Sequence, residues 1–272
     1  MYCAAGVHAM LYALFSMSSS SNNKSLPSFD SRGTLTREEA RDVYDACAEK
    51  SGEIGGNDVD SGYGGPAISA LLEMADFASA KHVLEYGTGQ GKLAELVLSS
   101  ESVAKCTITW RGIDQSPKMV QRFNERCVKR FSSKRCSIEL LESGNPRDVN
   151  VESESVDRFV STYCLDLMSE EDMFRVLELA EQSLCPENGL LLLAGITWGY
   201  RMSVQTFAMT AVWEVLYKVW RKKVGGCRPQ ELRPYLEALG WRIEKFERTL
   251  PNGYPWMASE VICARPPLRN TK

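Results

Sequence analysis

Short apolar segments alternate with amphipathic ones along residues 81–265. The short apolar runs predict β-strands over residues 82–85, 107–114, 137–141, 157–162, 190–194, 241–249 and 257–265. Apolar residues at steps of three and four predict helices over residues 92–98, 117–131, 169–184, 204–219 and 230–239. This alternation is typical of a doubly wound α/β fold, a mostly parallel sheet with helices on both faces. The last two strands flank the turn-forming residues 251–255, so we expect them to pair antiparallel.

The N-terminal part of the chain has a different pattern. Thr36 and Glu39 have the spacing of a capping box, which predicts a helix running up to Gly52, and a second helix is predicted over residues 66–77. Residues 3–15 are mostly apolar but too few to span a bilayer, which needs about 20. Residues 18–33 are rich in serine, asparagine and proline. We expect a flexible leader or targeting segment at 1–33 and one domain over 34–272, with a substrate-cap helix at about 200–224.

Composition narrows the class of ligand. The 272 residues are 44% hydrophobic and 25% charged with a net charge of -3, a balance that fits a globular protein and lacks the basic excess of a nucleic-acid binder. The nine cysteines include no CxxC pair, which predicts reduced thiols and no metal site. These features favour an intracellular, most simply cytoplasmic, protein with a small-molecule partner and no stable membrane insertion. They leave organelle import and oligomeric state open.

A glycine-rich turn follows the first predicted strand. Gly87, Gly89 and Gly91 are separated by Thr88 and Gln90, just before a predicted helix. Glycines there let the backbone bend tightly and approach a ligand, although a turn of this kind can also serve strand-to-helix packing alone.

Two acidic residues add to this signal. Glu85 ends the first strand, where it can accept a hydrogen bond from a ligand ammonium group. Asp114 ends the second strand, at the distance where a βαβ unit places an acid that binds ribose hydroxyls. A dinucleotide-binding protein shares these features, but its G-x-G-x-x-G spacing requires a glycine where this chain has Lys92. The spacing therefore disfavours NAD.

With these motifs the chain resembles class I S-adenosylmethionine-dependent methyltransferases, in particular the ubiquinone/menaquinone-biosynthesis-like small-molecule members, over about residues 62–266. Residues 83–91 look like the family's first motif, 112–116 its ribose motif, 160–166 the motif at the sulfonium centre and 184–189 the turn before the fifth strand. Asn145 departs from the family's Gly-Asp by losing a charge while keeping an acceptor for the adenine amino group.

The resemblance implies a seven-stranded Rossmann-like sheet of order 3-2-1-4-5-7-6, with strand 7 antiparallel, and S-adenosyl-L-methionine as cofactor. Together with the turn and the two acids, it predicts these cofactor-binding residues: Glu85, Gly87, Thr88, Gly89, Gly91, Asp114, Gln115, Asn145, Pro146 and Thr162.

Substrate contacts are expected from the N-terminal helices and from the insertion after the fifth strand. The candidates are Tyr63, Trp198, Tyr200, Arg201 and Trp213. Aromatic residues at helical spacing are also typical of core packing, so this set is a hypothesis about an aromatic lid.

Candidate catalytic groups are few. Neither His8 nor His82 is placed to act as a base, which leaves Tyr163, Asp166 or water. A thioether or tertiary amine has no proton to lose, and this favours S-methylation of a methionine-derived thioether acid to a sulfonium. The alternatives are a small-molecule O- or N-methyltransferase and a non-catalytic methyltransferase-like binding protein.

Overall fold

The computed structural model describes residues 34–49, 65–133, 135–198, 203–250 and 257–268. The predicted leader, residues 1–33, lies outside these ranges. No helix within them is long and apolar enough to cross a membrane.

Seven strands of the described chain form one sheet. They are β1 (His82–Tyr86), β2 (Thr109–Asp114), β3 (Cys136–Leu140), β4 (Arg158–Thr162), β5 (Leu190–Thr197), β6 (Arg242–Thr249) and β7 (Ala258–Arg265). Their order is β3-β2-β1-β4-β5-β7-β6, and β7 runs antiparallel to both of its neighbours. The expected strand order and the antiparallel seventh strand are therefore confirmed.

Helices cover both faces of the sheet. They are α1 (Arg37–Glu49), α2 (Gly65–Ala75), α3 (Lys92–Ser99), α4 (Pro117–Phe123), α5 (Glu170–Ser183), α6 (Val204–Trp220) and α7 (Arg233–Ala238). The predicted capping box begins α1: Thr36 N donates to Glu39 Oε2 at 3.0 Å, and Glu39 N donates to Thr36 Oγ1 at 3.1 Å.

Strand β5 shows why the core has two layers. Leu192 packs in the cluster that includes α2 and α3, whereas Leu191 and Leu193 pack in the cluster that includes α5 and α7. Successive side chains of a strand point to opposite faces, so an uninterrupted run of leucines fills both layers.

Two predicted helices differ from the structure. The one over residues 117–131 is interrupted, because α4 passes into a π-helical turn at Asn124–Val128 before a last turn at Lys129–Phe131. The one over residues 230–239 is shorter and begins at Arg233, because earlier backbone N–H groups are bonded to the sheet. Gln230 N donates to Ile196 O, and Leu232 N donates to the Glu260 carboxylate.

A buried arginine joins the sheet to the end of α2. Arg158, at the start of β4, is only 4% exposed. Its guanidinium donates to four backbone carbonyls and one hydroxyl, those of Ala75, Asp76, Asp157, Asn188 and Ser79. A guanidinium with its donors satisfied in this way holds three chain segments together.

Arg158→Met is expected to lower the free energy of unfolding by about 3–5 kcal/mol, because several buried carbonyls lose a charged donor. Urea denaturation measures this change. The matched control is Arg175→Met, which removes a half-exposed guanidinium paired with Glu178 on α5 and should cost less than about 1 kcal/mol. Equal losses for the two variants would contradict the role given to Arg158.

Candidate active site

A cavity of about 410 Å³ lies at the carboxyl ends of β1, β2 and β4. Its floor is formed by residues 85–90, 92–93 and 113–115, and one wall by residues 162–164; Gly91, a predicted cofactor-binding residue, does not line it. Helix α1 and residues 223–227, which follow α6, cover the opposite side. In parallel sheets this edge is where ligands bind, and the volume suits a small organic molecule.

The glycine turn at the end of β1 is fixed by its neighbours. Gly87, Gly89 and Gly91 all have left-handed backbones, with φ of 73°, 56° and 78°. A Cβ atom on Gly87 would lie 2.3 Å from the sulfur of Cys164, and one on Gly91 would lie 2.6 Å from the ring of Phe123. These two glycines are required by packing within the protein.

Gly89 differs from the other two glycines. A Cβ atom at this position would meet no described protein atom within 4 Å, and Gly89 lines the cavity. Its bare backbone therefore faces open space that a ligand can fill.

Asp114, at the end of β2, holds the same turn. Its Oδ2 accepts from Gly89 N at 2.8 Å, and its Oδ1 accepts from Ser116 N at 2.9 Å. Burial raises the pKa of Asp114 to about 6, although these backbone hydrogen bonds oppose the shift. Each carboxylate oxygen keeps a lone pair, so the group can accept from two ligand hydroxyls.

Glu85 lies beneath the turn and is 1% exposed. Its Oε2 accepts from Thr88 Oγ1 and, at 3.1 Å, from Trp110 Nε1. Burial raises the pKa of Glu85 to about 7. In this geometry the carboxyl supports Thr88 from within the protein, and contact with a ligand ammonium group stays a prediction.

The segment after β4 forms the wall of the cavity. Tyr163 has a left-handed backbone with φ 51°, and its hydroxyl lies 2.8 Å from Ser259 Oγ. Burial raises the pKa of Tyr163 well above its usual range, so the phenol keeps its proton at neutral pH. Thr162 and Cys164 line the cavity beside it.

Asp166, the other candidate base, lies behind this wall. It is 2% exposed and is not among the residues that line the cavity. Its Oδ2 accepts from Ile196 N at 3.3 Å, and its Oδ1 has no hydrogen-bond partner among the described residues. Burial raises the pKa of Asp166 to about 7, so close to half of the carboxyl is protonated at neutral pH.

The residues predicted to contact adenine, Asn145 and Pro146, do not line the cavity, whereas Gln115 of the predicted ribose motif does. Asn145 Oδ1 accepts from Arg147 N at 3.2 Å and begins a short helical turn. The neighbouring residue, Gly144, lines the cavity instead of Asn145.

The predicted substrate residues are also divided. Trp213 lines the cavity, and its Nε1 donates to Cys227 O at 2.9 Å. Trp198 packs beside Phe207, with ring centroids 6.1 Å apart, and does not line the cavity. The remaining three, Tyr63, Tyr200 and Arg201, lie outside the described residues.

Sequence reasoning missed the sulfur-rich part of the lining. Three cysteines and three methionines border the cavity: Cys47, Met119, Cys164, Met168, Cys227 and Met257. Burial raises the pKa of the Cys164 and Cys227 thiols well above its usual range, so both are neutral and behave as small apolar groups. These residues are scattered along the chain, and the one signal for them was the motif at residues 160–166, which contains Cys164.

Tyr44 of α1 completes this side of the cavity. Its hydroxyl lies 3.9 Å from Cys227 Sγ, which joins α1 to the segment after α6. No cluster of three or more histidine, cysteine or acidic residues within the described ranges is arranged to hold a metal ion.

A second, open groove of about 810 Å³ lies outside this site. Its lining is largely polar and charged and includes Glu49, Lys118 and Arg126. Gln90 is the one residue of the glycine turn that it shares, so the groove lacks the backbone cradle of the cavity.

Comparison with known protein families shows which kind of domain contains this site. Residues 83–187, from β1 to the turn before β5, match a family described as a methyltransferase domain. A search of curated protein sequences finds no match to the chain.

Solved structures share the fold at low sequence identity. The [4+2]-cyclase SpnF has a TM-score of 0.62 at 16% identity, over 87% of this chain and 98% of that one. A methyltransferase in complex with the Trm112 activator from Haloferax volcanii has a TM-score of 0.61 at 14% identity, over 86% and 100%. The N-methyltransferase NodS from Bradyrhizobium japonicum, in complex with S-adenosyl-L-homocysteine, has a TM-score of 0.57 at 16% identity, over 83% and 99%.

The family match shows a methyltransferase domain over residues 83–187, and the solved structures show that the described chain shares their fold. Neither comparison distinguishes the ubiquinone/menaquinone-like subtype. S-adenosyl-L-methionine is the cofactor expected of such a domain. The site fits this cofactor, because Gly89 leaves a cradle that a ligand can fill and Asp114 offers acceptors to ribose hydroxyls.

Gly89→Ala is expected to weaken the binding of S-adenosyl-L-homocysteine by at least about tenfold while costing only about 1–2 kcal/mol of stability, since the methyl group enters open space. Gly87→Ala should instead lower stability by more than about 3 kcal/mol, because its methyl group meets Cys164. Calorimetry and thermal melting separate the two effects. Unchanged affinity in Gly89→Ala would show that no ligand occupies this space.

The affinity for S-adenosyl-L-homocysteine is expected to fall about tenfold between pH 7 and pH 5, because a carboxyl with a pKa near 6 loses its charge over that range. Ribose hydroxyls that donate to Asp114 favour its ionised form, so protonation of this carboxyl weakens binding. Asp114→Asn should bind roughly 10–100-fold more weakly at pH 7 and show little of this pH dependence. Calorimetry at several pH values provides the comparison, and wild-type affinity in Asp114→Asn would refute the ribose contact.

Proposed function

We propose that this protein methylates a small, largely apolar acceptor bound between Trp213, Tyr44 and the wall at Tyr163. The observation that supports this most directly is the division of one cavity into two chemically different parts. The floor offers backbone groups and the Asp114 carboxylate, whereas the side covered by α1 and residues 223–227 offers neutral sulfur and aromatic groups, with the ammonium group of Lys223 beside them.

The floor is assigned to the cofactor. Gly89 and Asp114 would contact the ribose, and Gln115 and Gly144 lie further along the same floor, on the side proposed for adenine. Asn145 keeps its predicted role only if its side chain leaves the N–H of Arg147. When bound, S-adenosyl-L-methionine supplies a methyl group on a positively charged sulfur.

The covered side is assigned to the acceptor. Methionine and cysteine side chains are polarisable and adapt to flat apolar molecules, and aromatic rings add contacts with sulfur. The protein contributes by packing the acceptor against this surface, excluding water and holding the nucleophile in line with the methyl group.

Proton removal places a limit on the acceptor. Tyr163 and Tyr44 keep their protons at neutral pH, since burial raises both pKa values. Asp166, with a pKa of about 7, is buried and does not line the cavity. We therefore propose an acceptor atom that is already deprotonated or that releases its proton to water, such as an uncharged amine or an acidic phenol.

The methionine-derived thioether acid is less well supported. Such an acceptor needs a cation for its carboxylate: the guanidinium of Arg228 donates to Met168 O at 3.0 Å and is largely buried, which leaves the exposed Lys223 as the cation on this side of the cavity. Arg201 lies outside the described residues. Sulfur remains an acceptor atom to test, with nitrogen and oxygen placed ahead of it.

A labelled-methyl transfer assay over apolar phenols, aromatic amines, thioethers and their carboxylated analogues tests the proposal. Transfer to uncharged aromatic acceptors ahead of the carboxylated ones is expected. Tight binding of S-adenosyl-L-homocysteine with no transfer to any member would favour a non-catalytic binding protein. A preference for carboxylated thioethers would overturn the acceptor class.

Trp213→Ala is expected to raise KM for the acceptor roughly 10–100-fold, because the ring forms part of the acceptor surface, while leaving the affinity for S-adenosyl-L-homocysteine within about twofold. Trp213→Phe, which keeps a ring but loses the hydrogen bond to Cys227, should give an intermediate KM. Steady-state kinetics and calorimetry measure the two quantities. If Trp213→Ala weakened the affinity for S-adenosyl-L-homocysteine by the same factor as it raised KM for the acceptor, Trp213 would belong to the cofactor part of the cavity.

A further inference from the structure

The outer face of α6 is apolar along its whole length. Five side chains, at steps of three and four residues, are exposed on it: Val204, Ala208, Val212, Val215 and Val219. Val204 is 85% exposed, and Val215 and Val219 are 60% and 64% exposed. Exposed apolar surface of this extent usually marks an interaction site.

The inner face of α6 reverses the usual pattern. Its buried residues are Thr206, Thr210 and Tyr217. Surface helices normally bury their apolar stripe and expose their polar one. The valines of α6 are absent from the core formed by the described residues, so this face is open to a partner.

Basic residues continue the outer face at its C-terminal end. Four of them fall within residues 203–226, against a single acid, Glu214: they are Lys218, Arg221, Lys222 and Lys223. Glu214 pairs with Lys218 at 3.3 Å, and Glu39 of α1 pairs with Lys222 at 3.0 Å. This end of the helix still carries a local positive excess on a protein with a net charge of -3.

Trp220 ends α6, one residue after Val219 and next to the basic residues. It is 54% exposed, and Lys223 Nζ lies 5.5 Å from the centre of its ring. Tryptophan at the boundary between apolar and charged groups is typical of a helix at the headgroup level of a bilayer.

We propose that the outer face of α6 docks on an anionic membrane surface, with its valines at the level of the acyl chains and the basic end among the headgroups. An apolar face with lysine, arginine and tryptophan at its edge has the chemistry of an interfacial helix. A second copy of the chain fits less well, because a 17-residue helix offers a footprint of only about 260 Å², well below the roughly 800 Å² per partner of stable dimers.

Helix α6 lies between the docked face and the acceptor part of the cavity, because Trp213 is on the opposite side of the helix from the valines. Trp213 of α6 and Lys223 both line that cavity. An apolar acceptor dissolved in the bilayer would therefore have a short path to the site, and this step alone rests on the proposed function.

Co-sedimentation of the full chain with lipid vesicles tests the docking. Binding is expected to vesicles that contain phosphatidylglycerol, and weaker binding to phosphatidylcholine alone or at high salt. Val215→Glu should reduce binding by at least about tenfold, since it places a charge where the docked helix would bury an apolar side chain in the bilayer. Lys218→Glu should reduce binding only to the anionic vesicles.

Leu268→Glu is the matched control, because Leu268 is 75% exposed outside α6 and its change adds the same charge. Thermal melting checks that all variants remain folded. The proposal is overturned if the wild type binds neither vesicle or if Val215→Glu and Leu268→Glu bind alike. It is also overturned if α6 forms a dimer that Val215→Glu dissociates while vesicles recruit nothing. Cofactor and acceptor are absent from this assay, so its outcome is independent of methyl transfer.

Discussion

The close approach of β1 and β4 at their carboxyl ends determines the geometry of the site. Gly87 lies so near Cys164 that a side-chain carbon would be 2.3 Å from the sulfur. Because Gly87 has no Cβ, the chain segments that follow β1 and β4 can run side by side. The turn that follows then directs Gly89 N to Asp114 and leaves the other side of Gly89 open to the cavity. Packing and ligand contact are thus divided among successive glycines of one turn.

The protein buries its acids where a polar ligand would satisfy them. Asp114 and Glu85 both have a pKa raised by burial, which means that each carboxylate loses solvation in the folded state. Hydrogen bonds within the turn offset part of this cost. The acceptor part of the cavity has the opposite character, because its cysteines and tyrosines are neutral. In the proposed function, a charged methyl donor and an apolar acceptor meet at the boundary, near Tyr163 and Cys164.

The sequence predicted the features that depend on local pattern. The alternating segments predicted a doubly wound fold, the resemblance implied its strand order, and the position of Asp114 followed from its distance to the glycines. The covered side of the cavity depends instead on tertiary packing. Tyr44 and Cys227 are 183 residues apart in the sequence and meet only in the folded chain. The shortened α7 has the same origin, since its first N–H groups bond to the sheet rather than to the helix.

A crystal structure of the protein with S-adenosyl-L-homocysteine tests the central claim most directly. The account predicts ribose hydroxyls within hydrogen-bond distance of Asp114, backbone contact at Gly89, and the homocysteine sulfur directed toward Tyr163 and Trp213. A ligand bound in the charged groove beside Lys118, with the cavity left empty, would contradict it.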